Sequence, residues 1–221
     1  MHDGSVMMKL HYFPGNASMV PHILLEELGA TFELVHVDRA ANAQKSPEYL
    51  RLNPNGLIPV LVDGSLVLYE TAAICLHLAD THPAAGLVPA LGTPERAQLY
   101  KWLMWMTNTL QSTLLLYFYP DRWVEAGNTD GAAQIRARAE AKIGSMVDQL
   151  DGQLASHGED WLLGGRYTVL DPYALVLCRW TRGFDHPARD RPCLGPYLQR
   201  MLARPAVRRV FAAEALPHPL V

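Results

Sequence analysis

Cysteine is scarce in this sequence. Cys75, Cys178 and Cys193 are the only three among 221 residues, an odd number without paired spacing, which argues for reduced thiols and against a disulfide framework. No Cys/His cluster has the spacing of a metal site, since the nine histidines are scattered, so no metal is expected. No apolar run approaches the roughly 18 residues that a membrane span needs, and the opening Met1-His2-Asp3-Gly4-Ser5 lacks the basic-then-apolar layout of a signal peptide. A cytoplasmic protein is the resulting expectation, with no membrane partner. A basic block is missing too: 19 basic residues stand against 22 acidic ones, which argues against nucleic acid as a partner. What is present is a globular composition, 49% hydrophobic and 19% charged, long enough for one large domain or two small ones.

The most informative stretch runs from Asn53 to Thr71. Turn signals bracket an aliphatic run, Val60-Leu61-Val62, Asp63-Gly64 favours a tight reversal, and a second run, Leu66-Val67-Leu68, follows; the pattern predicts a β-hairpin. Pro59 stands at the entrance of the first strand, where a missing N–H is tolerated. The hairpin ends in Glu70-Thr71, which sets a carboxylate and a hydroxyl at the start of a new apolar helical pattern, a setting suited to a small zwitterion.

Upstream, Met8 to Tyr12 alternates like a half-buried strand. Pro14-Gly15-Asn16 breaks it, and Ser18 is a candidate N-cap for a helix that Gly29 stops. Phe32 to Val37 predicts a second strand, parallel to the first through that helix. Asp38 to Lys45 reads as a loop, and Ser46-Pro47 as the start of a short helix ending at Leu52. A helix over Thr71 to Ala79 completes a βαβ-α-ββα unit. Residues 84–94, rich in Pro and Gly, read as a linker between a domain at 7–83 and an all-helical domain at 95–221. In the latter, long helices are expected from Glu95 to about Leu116 and from Ala132 to Leu154, interrupted by Pro120 and by Asn128-Thr129-Asp130-Gly131. Thr168 and Asp171 have capping-box spacing before a helix from Leu170 to Arg182. Pro196 to Ala203 and Pro205 to Ala213 supply two closing helices.

Asn-Pro-x-Gly-x-x-Pro, the hairpin, and then Glu70-Thr71 with Ala73 and Ile74 together resemble the glutathione-binding half of the glutathione S-transferase superfamily. The segment Trp161 to Asp171 is similar to that family's C-terminal capping box and hydrophobic staple. The resemblance implies a thioredoxin-like α/β domain followed by an all-helical bundle. It implies glutathione as co-substrate, a small electrophile as second substrate, and a homodimer. Pro59 would be cis, Ile58 would pair its backbone with the cysteinyl part of glutathione, and Glu70 with Thr71 would hold the γ-glutamyl end. Lys45 could reach the glycine carboxylate. The opening Tyr12 to Ser18 is similar to that of bacterial beta-type transferases, but Ala17 stands at the position of their cysteine, and Met104 and Gln111 stand where relatives show asparagine and histidine.

The thiolate is glutathione's reactive form, so a donor near a helix start is needed to stabilise it. Ser18, Asn16 and Tyr12 are the three candidates. Trp105, Leu110 and Tyr117 on or beside the long helix are candidates to line the electrophile pocket. Cys75 and Cys178 fall in apolar helical runs and are expected to be inert. The expected activity is addition of glutathione to small electrophiles. Glutathione-dependent peroxide or disulfide reduction, and ligand binding without turnover, are the alternatives.

Overall fold

The computed structural model describes residues 7–221. They fall into two compact units, one formed by the residues up to Val88 with Ala203–Pro217, the other by Pro89–Leu202 with His218–Val221.

The first unit is built on a mixed sheet of four strands, β1 (Met8–Tyr12), β2 (Phe32–His36), β3 (Val60–Asp63) and β4 (Leu66–Tyr69), in the spatial order β2-β1-β3-β4. β2 runs parallel to β1; β3 is antiparallel to β1 and β4 to β3. The hairpin turns at Gly64, whose φ of 59° suits a residue without Cβ. Two faces of the sheet are covered. Val60, Val62 and Tyr69 pack with Tyr49 and Leu52 of α2 (Pro47–Leu52) on one side. Strand alternation turns Leu10 and Leu61, both 0% exposed, to the other. There α1 (Met19–Leu28) and α3 (Thr71–Thr81) pack on each other and on the sheet.

The helix ends follow local chemistry, with one correction. α2 is capped as its sequence predicts, Ser46 Oγ accepting from Tyr49 N at 3.2 Å with Pro47 in the first turn. Gly29 ends α1 in the left-handed region, its N–H bonding Glu26 O while Ala30 N bonds Leu25 O, a paired C-terminal closure. Ser18, expected to cap α1 through its side chain, makes no such bond. The third helical residue is Pro21, which has no N–H to offer, and the hydroxyl turns back to Phe13 instead.

The second unit is helical. The long helix expected from Glu95 to about Leu116 is divided into α4 (Pro94–Trp105), a π-helical segment Met106–Gln111, and α5 (Ser112–Phe118). The widened turn coincides with hydroxyls that bond back to carbonyls: Thr107 to Met104, Ser112 to Thr107 and Thr113 to Thr109, at 3.0, 3.1 and 2.7 Å. α5 packs on α6 (Thr129–His157), which starts earlier than its apolar pattern because Asn128 caps Gly131 N at 2.9 Å. α7 (Leu170–Trp180) is buried along its first ten residues, as befits a central helix. α8 (Leu194–Ala203) begins two residues before Pro196, since Asp151 Oδ1 accepts from both Cys193 N and Leu194 N at 2.8 Å. The last helix, α9 (Pro205–Ala213), belongs to the first unit and packs along α1. Its N-terminal Arg204 makes a two-pronged ion pair with Glu27, at 2.6 and 2.9 Å.

The start of α7 forms one half of the capping box that its sequence announces, with Thr168 Oγ1 bonding Leu170 N in place of Asp171 N, which goes to the Thr168 carbonyl. Asp171 Oδ2 accepts from Thr168 N at 2.7 Å, and Thr168 Oγ1 accepts from Leu170 N at 3.3 Å. Asp171 Oδ1 also accepts from Leu162 N at 3.1 Å and from Tyr197 OH at 3.0 Å. Burial pushes this carboxyl up to about 6 despite those donors. Because its folded value lies above the ordinary 3.8, its contribution to stability is fully present below about pH 4 and lost as pH rises to about 6. Urea unfolding across that range should show wild type falling relative to Asp171→Asn, with no further divergence above about pH 6. Asp171→Ala, which strands several buried donors, should cost about 3 kcal/mol or more at neutral pH.

Candidate functional site

The register of the sheet gathers the candidate residues at one end. His11 pairs with Val60, and Val60 with Tyr69. The C-terminal end of β1, the entrance of β3 and the exit of β4 therefore lie side by side. Tyr12 and the loop to Ser18 leave from the first, Ile58 and Pro59 lead into the second, and Glu70 with Thr71 follow the third. Tyr12 is also opposite His36, so the loop that carries Lys45 departs from the same end.

The approach to β3 is held by buried polar groups. Asn53, 2% exposed, donates from Nδ2 to Leu57 O at 2.9 Å, and Tyr49 OH donates to the same carbonyl at 2.8 Å. Asn53 Oδ1 accepts from Asn55 N at 3.0 Å, closing the turn before Gly56. Burial pushes the Tyr49 phenol well above its ordinary range, which keeps it a hydrogen-bond donor. Lys45 Nζ donates to Asn55 O at 3.1 Å; Gly56 has φ 61° and a Cβ there would fall 2.8 Å from the backbone oxygen of Gln44, so this turn needs glycine. The Ile58–Pro59 peptide is cis. Ile58 is half-buried and Pro59 buried.

Glu70 is exposed and Thr71 is 6% exposed at the first residue of α3. Glu70 has φ 73° and ψ 112°, a backbone that residues with a Cβ seldom adopt. Its carbonyl nevertheless starts the helix, accepting from Ile74 N at 3.0 Å.

The loop Phe13 to Ser18 is closed at its base. Ser18, 0% exposed, accepts from Phe13 N at 3.2 Å and donates to Phe13 O at 3.1 Å with one hydroxyl. Asn16 Oδ1 accepts from Ala17 N at 2.6 Å, which commits the amide oxygen and leaves the NH2 as its other polar group. Ala17 is 5% exposed. Tyr12 lies edge-on to His22 and to His36, with centroids 6.2 and 5.8 Å apart. His22, which has no evident partner in sequence, is paired through Nδ1 with Glu214 Oε1 at 2.8 Å, and Glu214 Oε2 accepts from Gly15 N at 2.8 Å. Sequence separations of 192 and 199 residues put both contacts beyond any local pattern.

In the second unit, Trp105 and Tyr117 are half-buried and Leu110 is 1% exposed. Tyr117 stacks on Phe184 at 4.4 Å, and burial with Glu140 nearby raises its phenol. Gln111 accepts from Tyr173 OH at 2.5 Å, and Met104 is 42% exposed. Burial pushes the Cys75 thiol far up and the Cys178 thiol to about 12, so neither ionises near neutrality. Among the described residues, no group of three or more His, Cys, Asp and Glu side chains is placed to hold a metal ion, and no helix is long and apolar enough to cross a membrane.

A thioredoxin-like α/β unit followed by a helical unit is the architecture of glutathione transferases. Residues 5–80 match the model of the glutathione S-transferase N-terminal domain, and residues 133–213 that of the C-terminal domain. The chain is 33% identical to Glutathione S-transferase GST-4.5 of Xanthomonas campestris pv. campestris, over 95% of this chain and 100% of that one. It is 35% identical to the Disulfide-bond oxidoreductase YfcG of Escherichia coli strain K12, over 95% of this chain and 97% of that one. A glutathione transferase homologue from Sulfitobacter, solved with bound glutathione, superposes with a TM-score of 0.86 at 28% identity, covering 96% of this chain and 100% of that one. The chain belongs to the glutathione S-transferase family.

The backbone at Glu70 gives a test that separates strain from chemistry. Glycine relieves a positive φ that alanine does not. Glu70→Gly should therefore melt higher than Glu70→Ala, by the equivalent of about 1 kcal/mol, in a thermal scan of the two variants.

Proposed function

We propose that this protein activates glutathione as its thiolate and transfers it to small electrophiles. The observation that carries this reading is the convergence of Ile58, Glu70, Thr71 and the Phe13 to Ser18 loop at one end of the sheet, set by the pairing of His11, Val60 and Tyr69. In this reading the backbone of Ile58 binds the cysteinyl part of glutathione. Glu70 takes the γ-glutamyl ammonium, and Thr71, at the N-terminus of α3, takes its carboxylate. Lys45 keeps donors beyond the one spent on Asn55 O, and these serve the glycine carboxylate.

Asn16 is our choice for the sulfur donor. Its amide oxygen is committed to Ala17 N, so the NH2 is the group that would face the sulfur, one turn before α1. Ser18 has both hydrogen-bonding functions of its hydroxyl tied to Phe13, and we assign it the role of loop clamp. Tyr12 is held among histidine rings and is assigned to the core. The thiol proton leaves to solvent, the thiolate sulfur forms a bond to the electrophilic carbon, and either a leaving group departs or the resulting carbanion is protonated. Trp105, Leu110 and Tyr117 are the residues assigned to the electrophile. We assign the protein to the cytoplasm as a homodimer, a state that sedimentation would test.

The relative named as a disulfide-bond oxidoreductase favours a second reading, in which the same thiolate attacks a disulfide and a second glutathione resolves the mixed disulfide. Ala17 supplies no protein thiol at the helix start, and in both routes glutathione carries the reacting sulfur.

Calorimetric titration with glutathione, followed by assays of conjugation to an aryl halide and of reduction of a mixed disulfide, tests both. Absence of binding would sink them together, and the faster turnover selects between them. Asn16→Ala should raise the pKa of the bound thiol by about one unit, a tenfold loss of thiolate below that pKa, read from the ultraviolet absorbance of the thiolate against pH. Ser18→Ala should lower the melting temperature more than it shifts that pKa.

A further inference from the structure

We propose that Glu214, from the segment after α9, is a positioning residue for the thiolate chemistry, acting through the backbone of Gly15 on the direction of the Asn16 amide. This rests on the assignment of Asn16 as sulfur donor. The loop between β1 and α1 is tied down at two points. Ser18 closes its base on Phe13. Its tip is held from outside the local sequence, because Gly15 N donates to Glu214 Oε2 at 2.8 Å.

The other carboxylate oxygen of Glu214 is paired with His22 Nδ1, also at 2.8 Å, and the two side chains are 0% and 1% exposed. A buried carboxylate engaged at both oxygens has little freedom to turn. Its backbone is held as well: Glu214 N bonds Val210 O at 2.9 Å, and Leu216 N bonds Phe211 O at 3.1 Å. Leu216 Cδ2 lies 3.7 Å from where a Cβ on Gly15 would stand, so the same segment packs over the turn it holds.

Gly15 has φ 72°, and the residue that follows it is Asn16. The ion pairs of Arg204 with Glu27 and of Arg209 with Glu26 fasten α9 to α1, so the anchor of the loop moves with the helix that the loop begins. A carboxylate reaching a loop amide from a segment anchored on α1 gives that loop a second fixed point beside its own short turn. The amide of Asn16 thereby stays aimed at the sulfur without being reorganised when charge develops there.

Glutathione-bound wild type, Glu214→Ala, Glu214→Asp and Glu214→Gln are compared by thiolate absorbance against pH, by calorimetry and by steady-state conjugation kinetics. The alanine variant, and the aspartate variant that is one methylene short, should raise the bound thiol pKa by about one unit and lower kcat about tenfold. Glutathione affinity should stay within about threefold of wild type, because the tripeptide is gripped elsewhere. Glutamine keeps an acceptor for Gly15 N and turns its NH2 to His22 Nδ1, which accepts once the ring carries its proton on Nε2, so it should restore most of both parameters. If the alanine variant does not fold, the aspartate and glutamine variants carry the comparison. A fall in melting temperature with unchanged thiol pKa and kcat would reduce Glu214 to a purely structural part and overturn the proposal. In an Asn16→Ala background, Glu214→Ala should add no further shift; a full additional shift overturns the route through Asn16. An Asn16→Ala variant with an unperturbed thiol overturns the donor assignment itself, which is a separate failure.

Discussion

The antiparallel pairing of β3 between β1 and β4 is the constraint on which the first unit depends. A side chain changes face with every residue along a strand, so a slip of one position would carry Val60 and Val62 off the surface that α2 covers. The same slip would move Ile58 and Glu70 away from the end of β1. Register is thus enforced by the core and inherited by the site. The buried clamp of Asn53 and Tyr49 on Leu57 O extends that control one turn beyond the strand, into backbone that no ladder holds.

Much of this was legible in the sequence, because much of it is local. The β1 alternation, the hairpin, the Ser46-Pro47 helix start and the Thr168 to Asp171 box each rest on residues within a few positions of one another, and each stands where its pattern puts it. The family resemblance rested on motifs of the same kind. Where local rules compete, reading failed: Ser18 has the composition of a cap, but Pro21 removes the donor it would have served. The π-helical turn escaped because its apolar spacing is helical, while its hydroxyl-to-carbonyl bonds depend on rotamers that spacing does not encode. Glu214 escaped for a different reason. Nothing near residue 214 signals a partner at Gly15, and only the packing of α9 on α1 brings them together.

In the proposed assignment, hydrogen bonding separates Asn16 from Ser18 where spacing does not. Asn16 and Ser18 were equivalent candidates as donors near a helix start. The difference between them is what each has already spent: the serine hydroxyl is satisfied in both directions by one peptide unit, whereas the asparagine has satisfied only its acceptor.

Ala17 has one more implication. Compounds soft enough to attract a glutathione thiolate attract protein thiols as well, and a cysteine at the mouth of α1 would be the first to be alkylated. Here that position is inert, and Cys75 and Cys178 are buried at 0% and 2% exposure with ionisation suppressed. Only Cys193 is within reach of solvent, on the helical unit. In the proposed chemistry glutathione would be consumed, while the cysteines of the scaffold that presents it would offer little for a reactive carbon to mark.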